Sequence, residues 1–201
     1  WQASDGRWYP QASAPPTSAA VPTGPVVVGV PGGSARSKAD EHHAKARAQL
    51  DQARQWEWGA EGEELTAARL AAMLPAGFHV LHDLHVPGST ANIDHLVVGP
   101  TGVWLIDTKR YRSPLRLSGD TVWSGSHSVT RDISNVAGYA RSTQAVLHEP
   151  VEPALCFVGQ SVPTGAALLG GVHLVALDDL VQRLLGRDTR PMDVESVARL
   201  A

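Results

Sequence analysis

The stretch Asn92-Ile93-Asp94-His95-Leu96-Val97-Val98-Gly99-Pro100-Thr101-Gly102-Val103-Trp104-Leu105-Ile106-Asp107-Thr108-Lys109 decides the reading of this chain. Two runs rich in β-branched residues flank Gly99-Pro100-Thr101-Gly102, whose Pro and Gly suit a type I turn. The pattern predicts a hairpin. Both runs are apolar on both faces, so the hairpin belongs at the centre of a covered sheet. Asp94, Asp107 and Lys109 are out of place there, because charged groups in such a setting are costly unless paired or bound to a cation.

Alternation along a strand puts Asp107 and Lys109 on one face. With Pro100-Thr101 as a two-residue loop, opposed positions sum to 201 and Asp94 faces Asp107. Two like charges opposed across a ladder repel. A divalent cation between them would turn repulsion into ligation, since Mg²⁺ takes oxygen ligands and often only one or two protein carboxylates. A second register also satisfies the sequence. A type I turn followed by a bulged Gly102 shifts the sum to 202 and puts the two Asp on opposite faces.

Upstream, a helix fits Glu61 to Leu74, stopped by Pro75 and Gly77. At about 100° per residue, Leu70 and Leu74 fall within about 20° of Glu63. Glu63 then lies on the stripe expected to face the sheet, where it could supply a third acid. A plainer role near the helix start, favouring the macrodipole, is also open to it. Lys109 is the only Lys between Gly59 and Ala201, against 10 Arg. A compact ammonium at that point suits contact with a phosphate; an ordinary ion pair at a strand end is the alternative.

Further out, the chain falls into three parts. Residues 1–35 form a Pro-, Ala-, Gly- and Ser-rich tail expected to be disordered, and 36–58 a polar helical linker with its helix at 37–56. An α/β domain is expected over 59–201. In that domain strands are expected at Phe78 to Val86, in the central hairpin, at Ala154 to Val158 and at Val172 to Leu177. A small hairpin is expected around Ser118-Gly119-Asp120. Helices fit Arg131 to His148, Asp178 to Leu185 and Pro191 to Leu200. The expected fold class is α/β, a mixed central sheet flanked by helices.

Composition narrows the function. The chain has 201 residues, 17 basic and 20 acidic, for a net charge of −3. It does not coat nucleic acid by bulk charge. Any such contact needs a local patch, and Lys109, Arg110, Arg112 and Arg116 place four cations within eight residues. Cys156 alone rules out an intrachain disulfide. No apolar run approaches the ~20 residues that span a bilayer, so a cytoplasmic location is expected. Trp1 rather than Met opens the sequence, which reads as a fragment. There is no Gly-x-x-x-x-Gly-Lys phosphate loop and no Gly-x-Ser-x-Gly elbow. His79, His82 and His85 look like a cluster, but alternation puts His82 on the other face from its neighbours. His95 stands next to Asp94 and either supports it from behind or is a hydrogen-bonded core histidine.

Gly59-Ala60-Glu61-Gly62-Glu63, Asn92-Ile93-Asp94-His95 and Gly102-Val103-Trp104-Leu105-Ile106-Asp107-Thr108-Lys109 together resemble the nuclease-related domain family, of the PD-(D/E)XK nuclease superfamily. The resemblance is strong over about 56–147 and weaker to about 186. It implies a restriction-endonuclease-like α-β-β-β-α-β core. It implies Glu63, Asp94 and Asp107 around Mg²⁺, with Mn²⁺ able to replace it, and Lys109 as the catalytic lysine. The family often carries Glu where this chain has Asp107. Superfamily members also use a Gln on the following helix, and Gln144 is the one Gln there. The implied function is Mg²⁺-dependent hydrolysis of phosphodiester bonds, with DNA as substrate. The alternative is an inactive module on the same fold that binds nucleic acid, or a protein through the tail or the polar helix.

Overall fold

The computed structural model describes residues 29–86 and 88–186, together with 4, 6 and 8. Most of the expected disordered tail and the expected helix at Pro191 to Leu200 lie outside the described residues, but the last three residues of that tail, 33–35, are helical. The chain divides into two compact units, Trp1–Arg47 and Ala48–Ala201. In the first, the described helical residues after Gly33 are exposed.

Helix α1 spans Gly33–Leu70. The two helices expected from sequence, at 37–56 and 61–74, are therefore one, and it ends earlier. A helical Gly costs only about 1 kcal/mol relative to Ala, so Gly59 and Gly62 weaken the helix without breaking it. Gly62 has a use. A Cβ there would stand 3.4 Å from Arg110 Cβ and 3.5 Å from Thr108 Cγ2, so the helix lies close against the chain at that point. Past Leu70 the coil tightens into a 3₁₀ turn, Ala71–Ala76, which contains Pro75. Gly77 then closes it in the left-handed region (φ 81°), its N–H donating to Leu74 O.

The strands are β1 (His79–His85), β2 (Asn92–Gly99), β3 (Gly102–Lys109), β4 (Leu115–Ser118), β5 (Thr121–Ser124) and β6 (His127–Ser128). Helix α2 (Thr130–Leu147) follows, then β7 (Val151–Phe157), β8 (Leu168–Leu169), β9 (Val172–Ala176) and α3 (Leu180–Leu185). The main sheet has the order β1-β2-β3-β7-β9-β8, and β4-β5-β6 form a small separate sheet. β3, β7 and β9 run parallel, while β1, β2 and β3 are antiparallel. α2 supplies the long crossover that a parallel β3–β7 pair requires. β6 and β8 were not expected. Each is two residues long, too short to leave a period in the sequence.

The central hairpin is buried as its pattern demands, from Val103 to Thr108 on β3 and from His95 to Gly99 on β2. Its pairs run from His95↔Ile106 to Gly99↔Gly102, all summing to 201. The two-residue loop is the one that forms, and the register summing to 202 does not occur. Leu96, Val98, Val103 and Leu105 pack on one face with Val136 and Ala140 of α2. Val97, Trp104 and Ile106 pack on the other with Leu70, Met73, Phe78, Leu180 and Leu184. Gly99 is required by that second face, since a Cβ on it would fall 2.0 Å from Phe78 Cδ1.

Replacing Gly99 by Ala therefore forces Phe78 aside and lowers the unfolding free energy by about 1–3 kcal/mol. Urea denaturation checks this, and an unchanged midpoint would show that the ring yields freely.

Candidate active site

Parity on β3 separates two groups of side chains. Val103 and Leu105 face α2, so Asp107 and Lys109 do too; Thr108 points the other way, toward α1. All three stand at the C-terminal end of the strand, where Asp107 pairs with Leu155 and Lys109 with Phe157 of β7.

Lys109 Nζ forms an ion pair with Asp107 Oδ2 and donates to Thr108 O at 3.4 Å. Asp107 is 8% exposed. Burial pushes its carboxyl above the usual range, and Lys109 opposes that rise. Burial works against the Lys109 ammonium, but the charge of Asp107 and their contact hold it above its ordinary value. Asp94 Oδ2 accepts the backbone N–H of Thr108 at 2.7 Å. Burial first, then the charge of Asp107, pushes the Asp94 carboxyl up to about 7, even though the Thr108 N–H favours its anion. The two carboxylates, one step past the last hairpin pair, thus stay within each other's field.

Glu63 is not on the buried stripe of α1. That stripe is Gly62, Thr66 and Leu70, continued by Met73, while Leu74 is exposed. The helix is rotated because Gly62, with no side chain, makes the closest approach to β3. Glu63 lies at the edge of the contact. Burial, then the charge of Asp107, raises its carboxyl, with Lys109 opposing and Asp83 adding to the rise. Among the described residues, no three His, Cys, Asp or Glu side chains stand close enough to hold a metal ion together. Glu63, Asp94 and Asp107 are therefore not a preassembled trio. What the protein offers is a pair of inward carboxylates, one already engaged by Lys109, with Glu63 at the rim. The donors are all oxygen and crowded by like charge, which fits a hard divalent cation that keeps most of its water.

His95 faces α1. Its Nε2 lies 3.3 Å from Thr108 Oγ1 and its Nδ1 lies 2.7 Å from His82 Nδ1. Burial, then the neighbouring His82, lowers it to about 4, so it is neutral and serves as a hydrogen-bonded core residue behind Thr108. Gln144 is not at the site. Its Oε1 accepts the N–H of Val151 at 3.3 Å, and Val151 pairs with Val103 at the opposite end of β3 from Lys109. Of the three arginines expected to contact phosphate, Arg110 is committed to the fold. Its NH1 binds Glu61 Oε2 at 2.5 Å and its guanidinium lies 3.5 Å from the Trp58 ring centre. Arg112 is exposed with its Cζ 5.8 Å from the same ring. Arg116 is exposed beside Trp123, and its NH2 donates to Gly125 O at 3.3 Å.

Two acids at this end of the sheet were not singled out in the sequence. Asp132, in the first turn of α2, accepts from Tyr111 Oη at 2.7 Å and contacts His127 Nε2 at 3.0 Å. Its charge reaches both Asp107 and Lys109. An acid in a first helical turn is ordinary on dipole grounds, which hid it. The aromatic Tyr111 inside Lys109-Arg110-Tyr111-Arg112 was the available signal. Asp83 stands opposite Asp94 in the β1–β2 register, whose pairs on either side are His82↔His95 and Leu84↔Ile93. Asp83 takes a left-handed conformation (φ 52°) and accepts from Asn92 Nδ2 at 2.6 Å. Three aspartates abreast on β1, β2 and β3 would repel, and that turn of the backbone ties the outermost to Asn92.

The family model described as nuclease-related domain matches residues 58–158, from Trp58 on α1 to Val158 just past β7. An uncharacterized protein of Bacillus anthracis is 39% identical over 56 residues, which is 26% of this chain and 26% of that relative. The chain thus spans about a quarter of the length of the curated relative it matches. No solved structure matches the chain. The family match covers half of the sequence and contains the strand pair, Lys109 and all three acids, Glu63, Asp94 and Asp107, so the chain belongs to the nuclease-related domain (NERD) family of the PD-(D/E)XK superfamily.

Proposed function

We propose that this domain hydrolyses phosphodiester bonds of nucleic acid, with DNA as substrate, in a reaction that needs Mg²⁺ or Mn²⁺. The observation that supports this best is the convergence on Thr108 and Lys109: Asp94 on the backbone N–H of one, Asp107 on the ammonium of the other. Asp94 and Asp107 would hold the cation, and Glu63 would reach it through water. When bound, the ion polarises a phosphate oxygen and lowers the pKa of a coordinated water.

The chain's own groups do the rest. Lys109 keeps its proton at neutral pH and carries a single positive charge at the strand end, where it can orient the attacking water and offset charge on the phosphate. Asp107 fixes the direction of that ammonium. Thr108 fixes Asp94 and is itself held from behind by Thr66 Oγ1 at 3.1 Å and by His95. The second reading is an inactive binding module. It is favoured by the pairing of Lys109 with Asp107, which already neutralises one carboxylate without a metal.

Incubation of the full chain with DNA separates the two. We expect cleavage only with Mg²⁺ or Mn²⁺, reduced about 100-fold or more in Lys109→Ala. Equal cleavage by that variant would show a contaminant, and no cleavage with either ion would support the binding module.

The metal-free protein provides an independent check. Asp94 titrates higher in the folded than in the unfolded chain, so its cost is absent below about pH 4, grows up to about pH 7 and is complete above it. Asp94→Asn should therefore raise stability at pH 8 by on the order of 2–4 kcal/mol and leave it nearly unchanged near pH 4. Thermal melting at the two pH values measures this. Adding Mg²⁺ should raise the melting temperature of the wild type and not that of Asp94→Asn.

A further inference from the structure

Just past the end of β3, on its α1 side, lies an open cleft of about 690 Å³ lined by Asp51, Arg54, Gln55, Trp58, Arg110, Tyr111 and Arg112. Its floor is a fixed layer of two flat groups. The Arg110 guanidinium lies 3.5 Å from the centre of the Trp58 ring. Arg110 is anchored by Glu61 Oε2 at 2.5 Å and by Trp58 O at 3.4 Å, and the ring by its own Nε1–H on Arg110 O at 3.2 Å. Neither plane has to be ordered when a ligand arrives. Arg112 stands over the same layer, exposed, with no ion pair among the described residues.

A preorganised aromatic–guanidinium layer beside a free cation suits one ligand chemistry: a planar base attached to a phosphate. The bases of a duplex are covered by their neighbours and offer this surface only phosphates, whereas a single strand can turn a base onto it. The position matches too. Arg110, Tyr111 and Arg112 directly follow Lys109 past the end of β3, so three residues of chain keep Arg112 within about 10 Å of Lys109. That is a few nucleotide steps.

We propose that the Trp58–Arg110–Arg112 cleft docks single-stranded nucleic acid next to the scissile phosphate, an unpaired base stacking on the layer and a backbone phosphate meeting Arg112. The role in cleavage rests on the nuclease reading, but the binding does not. The domain therefore prefers single strands, or duplexes that carry a single-stranded flank.

Fluorescence anisotropy with the full chain tests this, using a short fluorescein-labelled oligothymidylate and its duplex with oligoadenylate, in EDTA at fixed salt. The single strand should bind about tenfold more tightly than the duplex, and Trp58→Ala and Arg112→Glu should each weaken it by about tenfold. Trp58→Phe keeps a stacking ring and should retain most of the affinity. Arg183→Glu makes the same charge change on α3 and should leave it intact. Should Trp58→Ala fail to fold, the exposed Arg112→Glu decides. Equal affinity for duplex and single strand, or wild-type affinity in Arg112→Glu, would overturn the proposal and show the layer to be a tie between α1 and β3. Cleavage is not read in this assay, so an inactive protein that passes it would refute the nuclease reading alone.

Discussion

Thr108 is the residue on which both sides of the sheet depend. Its backbone N–H lies just beyond the last hairpin pair, His95↔Ile106, and meets a carboxylate instead of a main-chain carbonyl. Its hydroxyl lies on the opposite face, between Thr66 of α1 and His95 of β2. One residue thus locks a helix and two strands together. By alternation, its neighbours Asp107 and Lys109 are sent to the α2 side. The strand end is rigid because these contacts are buried, where a hydrogen bond left unmade would cost about 1–3 kcal/mol.

The rigidity is purchased against electrostatic resistance. Burial opposes the charged forms of Asp94, Asp107 and Lys109 alike, and the two acids also oppose each other. Lys109 relieves one of them. Groups kept in such tension at the end of a sheet are a common mark of a functional site. Here they coincide with the stretch that carries the family match.

Much of this was legible in the sequence, for definite reasons. The apolar runs on both sides of Gly99-Pro100-Thr101-Gly102 announced a central hairpin, because few soluble structures bury two consecutive uniformly apolar strands any other way. The turn alone left the register undecided, since Gly102 at positive φ (104°) is compatible with a bulge as well as with a tight loop. The packing of Gly99 against Phe78, a contact between distant residues, is what the sequence pattern could not contain. The rotation of α1 failed for a related reason. Periodicity counts large apolar side chains, and the closest approach is made by Gly62, which has none. Gln144 and Asp132 show the same limit on one helix. Both lie on α2, but only the first turn of that helix reaches the end of β3, and helix direction is a property of the fold. Asp83 was hidden because its strand register became meaningful only once β1 was paired.

Cys156 lies on β7 under Thr66, fully buried, with burial pushing its thiol up to about 12. It is the sole sulfur of its kind in the chain. A thiol so shielded is a poor nucleophile in the native state. Alkylating reagents would find it only when the central sheet comes apart, so the rate of its modification is a built-in clock for global opening of the nuclease-related domain.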